Sequence, residues 1–154
     1  MGEIVTDPND EGVKSLREAI ERYRLQYNFD GSEIEPSGVE DLYVRAADFQ
    51  AYDIAPPQGG YVGWDQYKVG WHHVMNKYSK IRFVFGDDLR VMRMGDVGWC
   101  SFSADWGGET AGGEAFNKEF RETMVWDRQD GAWRVVQEHG SMPRTTTLSG
   151  GEVI

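Results

Sequence analysis

Cysteine occurs once in the 154 residues. Cys100 therefore has no intramolecular disulfide partner, and nothing in the thiol content points to an oxidising compartment. No apolar run approaches the roughly 18 residues that a membrane-spanning helix needs, and residues 1–10 are too acidic and polar for a signal peptide. Basic charge is also scarce: 16 Lys and Arg stand against 26 Asp and Glu, a net charge of −10. Nucleic acids and anionic membrane surfaces both recruit basic stripes, so neither is expected as a partner. Internal repeats and low-complexity stretches are absent as well. The reading is a cytoplasmic protein whose partners are neutral, apolar or cationic.

Chelating residues are few. His72 and His73 are adjacent, so on a helix they point about 100° apart and cannot share one ion. With a single thiol, no closed metal site is legible. The Gly107-Gly108 and Gly112-Gly113 loop carries no lysine and opens no helix, which excludes a phosphate cradle. Neither a metal nor a cofactor is expected.

What the chain does have is large flat side chains: aromatic residues make up 13% of it. Each buries roughly 150–250 Å², enough to build a core or to line a cavity. The length fits one domain, with a core over about 12–143 and flexible tails at 1–10 and 144–154.

Periodicity divides the chain into an α part and a β part. Residues 12–28 repeat apolar positions at three- and four-residue steps, an amphipathic helix with Asp10 as N-cap and Asp30-Gly31 closing it. A second, shorter helix is expected over 39–47, a short strand over 49–54, and a third helix over 64–80. Strand patterns follow at 81–94, with a kink at Gly86-Asp87, and at 97–106, 116–128 and 133–141. Asp130-Gly131 is a strong hairpin signal. Helices first and antiparallel strands later make an α+β layout. On the 116–128 strand, Phe116, Phe120, Met124 and Trp126 share one face, Arg121 and Thr123 the other. If the aromatic face points outward, it is too large a patch for a monomer, and a homodimer is expected.

Three stretches carry a family resemblance. They are Arg22-Tyr23 with Asn28-Phe29-Asp30-Gly31, residues 46–53 followed by Tyr61-Val62-Gly63-Trp64-Asp65, and the ending from Asp130-Gly131 to Pro143. Together they resemble the nuclear transport factor 2-like superfamily, in its ketosteroid isomerase and polyketide cyclase (SnoaL-like) branch. The resemblance implies a cone-shaped, cystatin-like half-barrel: a curved antiparallel sheet packed on three N-terminal helices around a blind cavity.

It also implies roles. Asp53, ending a strand near the cone mouth, matches the branch's general base; a carboxylate at an apolar site has a raised pKa and becomes a competent proton acceptor. Its other reading is a turn cap. Tyr23, on the inward stripe of helix one, matches an oxyanion-binding Tyr, with Tyr27 as the fallback; the alternative is a core tyrosine. The branch's second oxyanion donor, a protonated Asp on the third long strand, has no Asp here. The nearest polar residues are Arg121, Glu122 and Thr123. An Arg at the cone base suits a carboxylate or oxyanion on the substrate, or else an ion pair with an acid of the chain. His139 suits a general acid or base, or a hydrogen-bonded strand residue. Gln137 stands where such endings often carry a first His. Tyr52, Trp64, Trp71 and Trp106 are candidates to line the cavity, with Thr123 beside Arg121.

Two functions follow from this reading. The first is a cofactor-independent acid–base enzyme of isomerase or lyase type acting on a small apolar, aromatic or polycyclic molecule. The second is a non-catalytic ligand-binding or homo-oligomeric association module.

Overall fold

A computed structural model of the chain describes residues 2–30, 39–54 and 57–142. Helix α1 covers Glu11–Gln26 and buries Val13, Leu16, Ala19, Ile20 and Tyr23 along one stripe. Asp10 caps it by accepting from the Val13 N–H, and the same carboxylate takes a bidentate pair from Arg93, at 2.6 and 2.7 Å. Helix α2 covers Trp64–Met75 and buries Trp64, Tyr67, Trp71 and Met75.

The strands are β1 (Phe29–Asp30), β2 (Gln50–Tyr52), β3 (Tyr61–Val62), β4 (Tyr78–Phe85), β5 (Arg90–Met94), β6 (Val97–Thr110), β7 (Ala115–Gln129) and β8 (Ala132–Ser141). They form one curved, unclosed sheet in the order β1-β4-β6-β7-β8-β2-β3, with β5 also pairing β6. The fold is α+β, with the two helices covering the concave face. Gly98 lets α1 approach: a Cβ there would overlap the Leu16 side chain. A hollow remains between the helices and the curved sheet, beside β2, β7 and β8.

Several sequence expectations need correction. Among the described residues there are two helices, not three. Helical structure at 39–40 gives way to a turn, because the backbone of Leu42 and Val44 hydrogen-bonds Val135 on β8 (Val135 N–H to Leu42 O 2.7 Å, Val44 N–H to Val135 O 3.0 Å). The helix expected to reach residue 80 stops at Met75, and Tyr78 opens β4 by packing its ring against Trp106 and Phe116. The 81–94 strand is two strands. The chain jogs at 86–89, where Asp88 Oδ1 accepts from the backbone N–H and the hydroxyl of Ser103. The sheet is not wholly antiparallel, since β2 runs parallel to β8. The N-terminal tail is tied down by two backbone bonds between Val5 and Arg93. The other expected tail, 144–154, lies outside the described residues.

The 116–128 face also turns out differently. Phe120, Met124 and Trp126 are buried in the core, with Trp126 edge-on to Tyr23 and Phe120 stacked on Phe83. That face is inward, so it supplies no outer patch for a second copy. No helix among the described residues is long and apolar enough to cross a membrane.

Candidate active site

Between α2 and the concave sheet lies a chamber of about 70 Å³. Tyr23, Tyr27, Tyr67, Trp71, Phe83 and Phe120 form much of its wall, and Tyr52, Asp53 and Ile54 stand where β2 ends. Two acids reach the same space. Glu122 and Glu138 are the only buried charged residues among those described, at 7% and 4% exposed. They stand on β7 and β8, with Glu122 opposite Gly140 and Glu138 opposite Met124. Diagonal positions of this kind put Cβ atoms no more than roughly 7–8 Å apart.

A web of phenols serves the two carboxyls. The Tyr23 hydroxyl donates to Glu122 Oε1 at 3.1 Å, and the Tyr43 hydroxyl donates to Glu138 Oε2 at 3.0 Å. Tyr27 lies 2.9 Å from Tyr43 and 3.4 Å from Tyr67, hydroxyl to hydroxyl, and accepts from the Trp71 indole N–H at 3.0 Å. Each phenol has one proton. Since Tyr43 spends its proton on Glu138, Tyr27 must donate to Tyr43. The chain of donation therefore runs Trp71 to Tyr27 to Tyr43 to Glu138.

Burial governs the titration of this group. Loss of water pushes Glu122 well above the ordinary carboxyl range, and the negative charge of Glu138 and then Asp53 adds to it; the Tyr23 bond opposes. Glu138 is raised to about 7, again first by burial, while bonds from Tyr67 and Tyr43 pull it back. Tyr23, Tyr27, Tyr43 and Tyr67 are all pushed up by burial and by the nearby acids, so they remain neutral donors. A neutral Glu122 keeps a proton of its own. Its Oε1 is occupied by Tyr23, and no bond to Oε2 is found among the described residues. That arrangement suits donation to an oxygen within the chamber.

The expected residues divide into three groups. Tyr23, Tyr27, Tyr52, Asp53, Trp71 and Trp106 all line the chamber. Trp64 does not; it stacks on Tyr43 at 5.4 Å and braces the phenol web from behind. Arg121, Thr123 and His139 are on the outer face of the sheet, exposed to solvent. For Arg121 and Thr123 the reason is parity: their neighbours Phe120, Glu122 and Met124 take the inward positions.

For His139 the reason is a bulge. Trp126 pairs with Val135, but Val125 pairs with Gln137, so Val136 is an extra residue in β8. Trp133 and Val135 face inward before it. After it the inward residues are Glu138 and Gly140 instead of Gln137 and His139.

Four residues of the site escaped the sequence reading. Glu122 had a usable signal, since it shares parity with Phe120, Met124 and Trp126. Tyr67 lies on the buried stripe of α2. Tyr43 was expected to face inward on the 39–47 segment but without a role, and Glu138 had no signal, because a bulge places it. Among the described residues no three His, Cys, Asp or Glu side chains are grouped to hold a metal ion.

The SnoaL-like domain family matches residues 41–145, more than half of the sequence and all of the site except Tyr23 and Tyr27. The chain belongs to this family. Among solved structures, this SnoaL-like protein is similar to a nuclear transport factor 2-like superfamily protein from Salmonella enterica (TM-score 0.76, 19% identity, 92% of this chain and 97% of the other). It is also similar to a candidate dehydratase of the NTF2-like family from Streptomyces avermitilis (TM-score 0.73, 16% identity, 86% and 96%). A hexachlorocyclohexane dehydrochlorinase, LinA type 2, superposes with a TM-score of 0.66 at 14% identity, over 89% and 88%. At these identities the likeness shows the fold alone. No protein of curated function matches the sequence.

Proposed function

We propose that this SnoaL-like protein is a general acid–base enzyme of isomerase or lyase type, acting on a compact apolar molecule that carries a carbonyl or a leaving group. The observation that carries the reading is Glu122: a buried carboxyl, its titration pushed well up by loss of water, beside the Tyr23 hydroxyl in a chamber with Asp53 at its end.

The sequence offered no Asp on the third long strand as second oxyanion donor. Glu122 supplies the same chemistry from β7 with one more methylene. Asp53 takes a proton from a substrate carbon. The electron pair left behind moves towards the carbonyl oxygen, where Glu122 donates while Tyr23 holds that carboxyl through its Oε1, or expels a leaving group that Glu122 protonates. Donors fixed in a dry site need no reorganisation as charge develops, and each is worth roughly 2.7–4 kcal/mol of barrier. Glu138 and the phenol web hold the second proton. That two solved neighbours are described as a dehydratase and a dehydrochlorinase, both eliminations, fits this class.

The test reads proton abstraction directly. Cyclic ketones and β-hydroxy and β-chloro carbonyl compounds are incubated in deuterated water with the protein. NMR then follows deuterium entering the α-carbon and products of elimination. Asp53→Asn is expected to lower the rate about 10²–10⁴-fold, and Glu122→Leu about 10²-fold or more. Undiminished exchange in both folded variants would overturn the proposal.

A further inference from the structure

A second cavity, of about 430 Å³, adjoins the first and shares Ile54, Val74 and Trp106 with its wall. Its charged lining is cationic, Lys77 and Lys118, with His73 and the Tyr78 phenol beside them. In a chain of net charge −10 that is a local reversal of sign. Lys118 has the parity of Phe116, Phe120 and Glu122, which puts an ammonium group on the concave side of β7. It stands over the Trp106 ring at 6.0 Å. Neither Lys77 nor Lys118 has a carboxylate within ion-pair distance among the described residues.

A separate observation points the same way. Trp106 is 8% exposed, and its indole N–H is buried with no acceptor. A buried donor left unpaired is destabilising, and an anionic acceptor is its strongest partner.

We infer that the outer cavity is an anion subsite, and that the substrate is an amphiphilic carboxylate. Its apolar end enters the inner chamber, and its carboxylate lies against Lys77 and Lys118 and accepts from the Trp106 N–H. The inference names the substrate class for the acid–base site and rests on that reading only for the apolar end. The two lysines also supply the counter-charge that an anionic ligand needs when the adjoining chamber holds carboxylates.

The test reads binding, not turnover. Benzoate, phenylacetate and 3-phenylpropanoate are titrated against the full chain, each beside its neutral amide, with tryptophan fluorescence and calorimetry as readouts. At least one acid is expected to bind about tenfold more tightly than its amide, with an advantage that shrinks as salt rises. Lys77→Met with Lys118→Met should erase the preference and the salt dependence while leaving amide affinity unchanged. Trp106→Phe should weaken the acid and spare the amide. Glu122→Gln should keep the preference even where turnover is lost, which separates failure of the subsite from failure of the catalytic reading. Equal affinity for every acid and its amide, no binding of any acid, or a preference that survives loss of both lysines would overturn the inference.

Discussion

Tyr43 connects two parts of the site: its ring stacks on Trp64, and its hydroxyl both donates to Glu138 and accepts from Tyr27. Removing only the oxygen, as Tyr43→Phe, leaves Glu138 with one fewer donor and Tyr27 with one fewer acceptor. Stability should fall by about 1–3 kcal/mol, read from the midpoint of chemical denaturation at constant slope. The Glu138 carboxyl should titrate higher still, because a bond that favours its charged form is gone. A pH titration followed by carboxyl NMR would show it, and an unchanged titration would count against the web. At this scale Tyr23, Tyr27 and Trp71 were legible because helical spacing puts them on buried stripes. Glu122 was legible in parity, though its charge argued against burial until the Tyr23 bond was seen.

The decisive element is β8. One extra residue, Val136, reverses which side chains face the chamber after Val135. Deleting Val136 would remove the extra residue while keeping the Val125–Gln137 and Met124–Glu138 pairs, so Glu138 would still face inward and His139 outward. The expected result is a folded protein that keeps acid–base turnover, checked by thermal denaturation and the deuterium assay; a folded variant without turnover would refute this account of the bulge. Gly108 is a second element-level constraint. Its φ is +151° and a Cβ there would meet the Lys80 carbonyl oxygen, so it lets β4 lie against β6. Gly108→Ala should lower the melting temperature through strain at a backbone contact that cannot give way.

For the whole molecule, the buried acids set the pH response. Glu138 titrates near 7 in the folded protein against an ordinary 4.5, and Glu122 is raised as well. The folded state therefore binds protons that the unfolded chain releases. Their contribution is fully present below about pH 4.5 and is lost as pH rises towards 7. Asp10, held low chiefly by its hydrogen bond from Arg93, acts in the opposite sense, but only as pH falls below its ordinary 3.8. Between pH 5 and 8 the buried pair dominates. The melting temperature should fall by several degrees across that range, at roughly 2–4 °C per kcal/mol for a chain of this size. Glu138→Gln should flatten the curve, and a parent protein that melts higher at pH 8 than at pH 5 would contradict the assignment.

Local physics alone determined the α+β order, the N-cap of α1, the buried helix stripes and the hairpin at Asp130-Gly131, since each depends on spacing within a few residues. The end of the helical stretch at residue 40, the break between β4 and β5 and the inward turn of Glu138 were decided elsewhere. Each depends on a partner distant in sequence: Val135 for Leu42 and Val44, Ser103 for Asp88, and Val125 and Trp126 for the β8 bulge. Alternation along one strand cannot reveal a slip in pairing with its neighbour. Only the assembled sheet could therefore show that the chamber holds two buried glutamates rather than an arginine and a histidine.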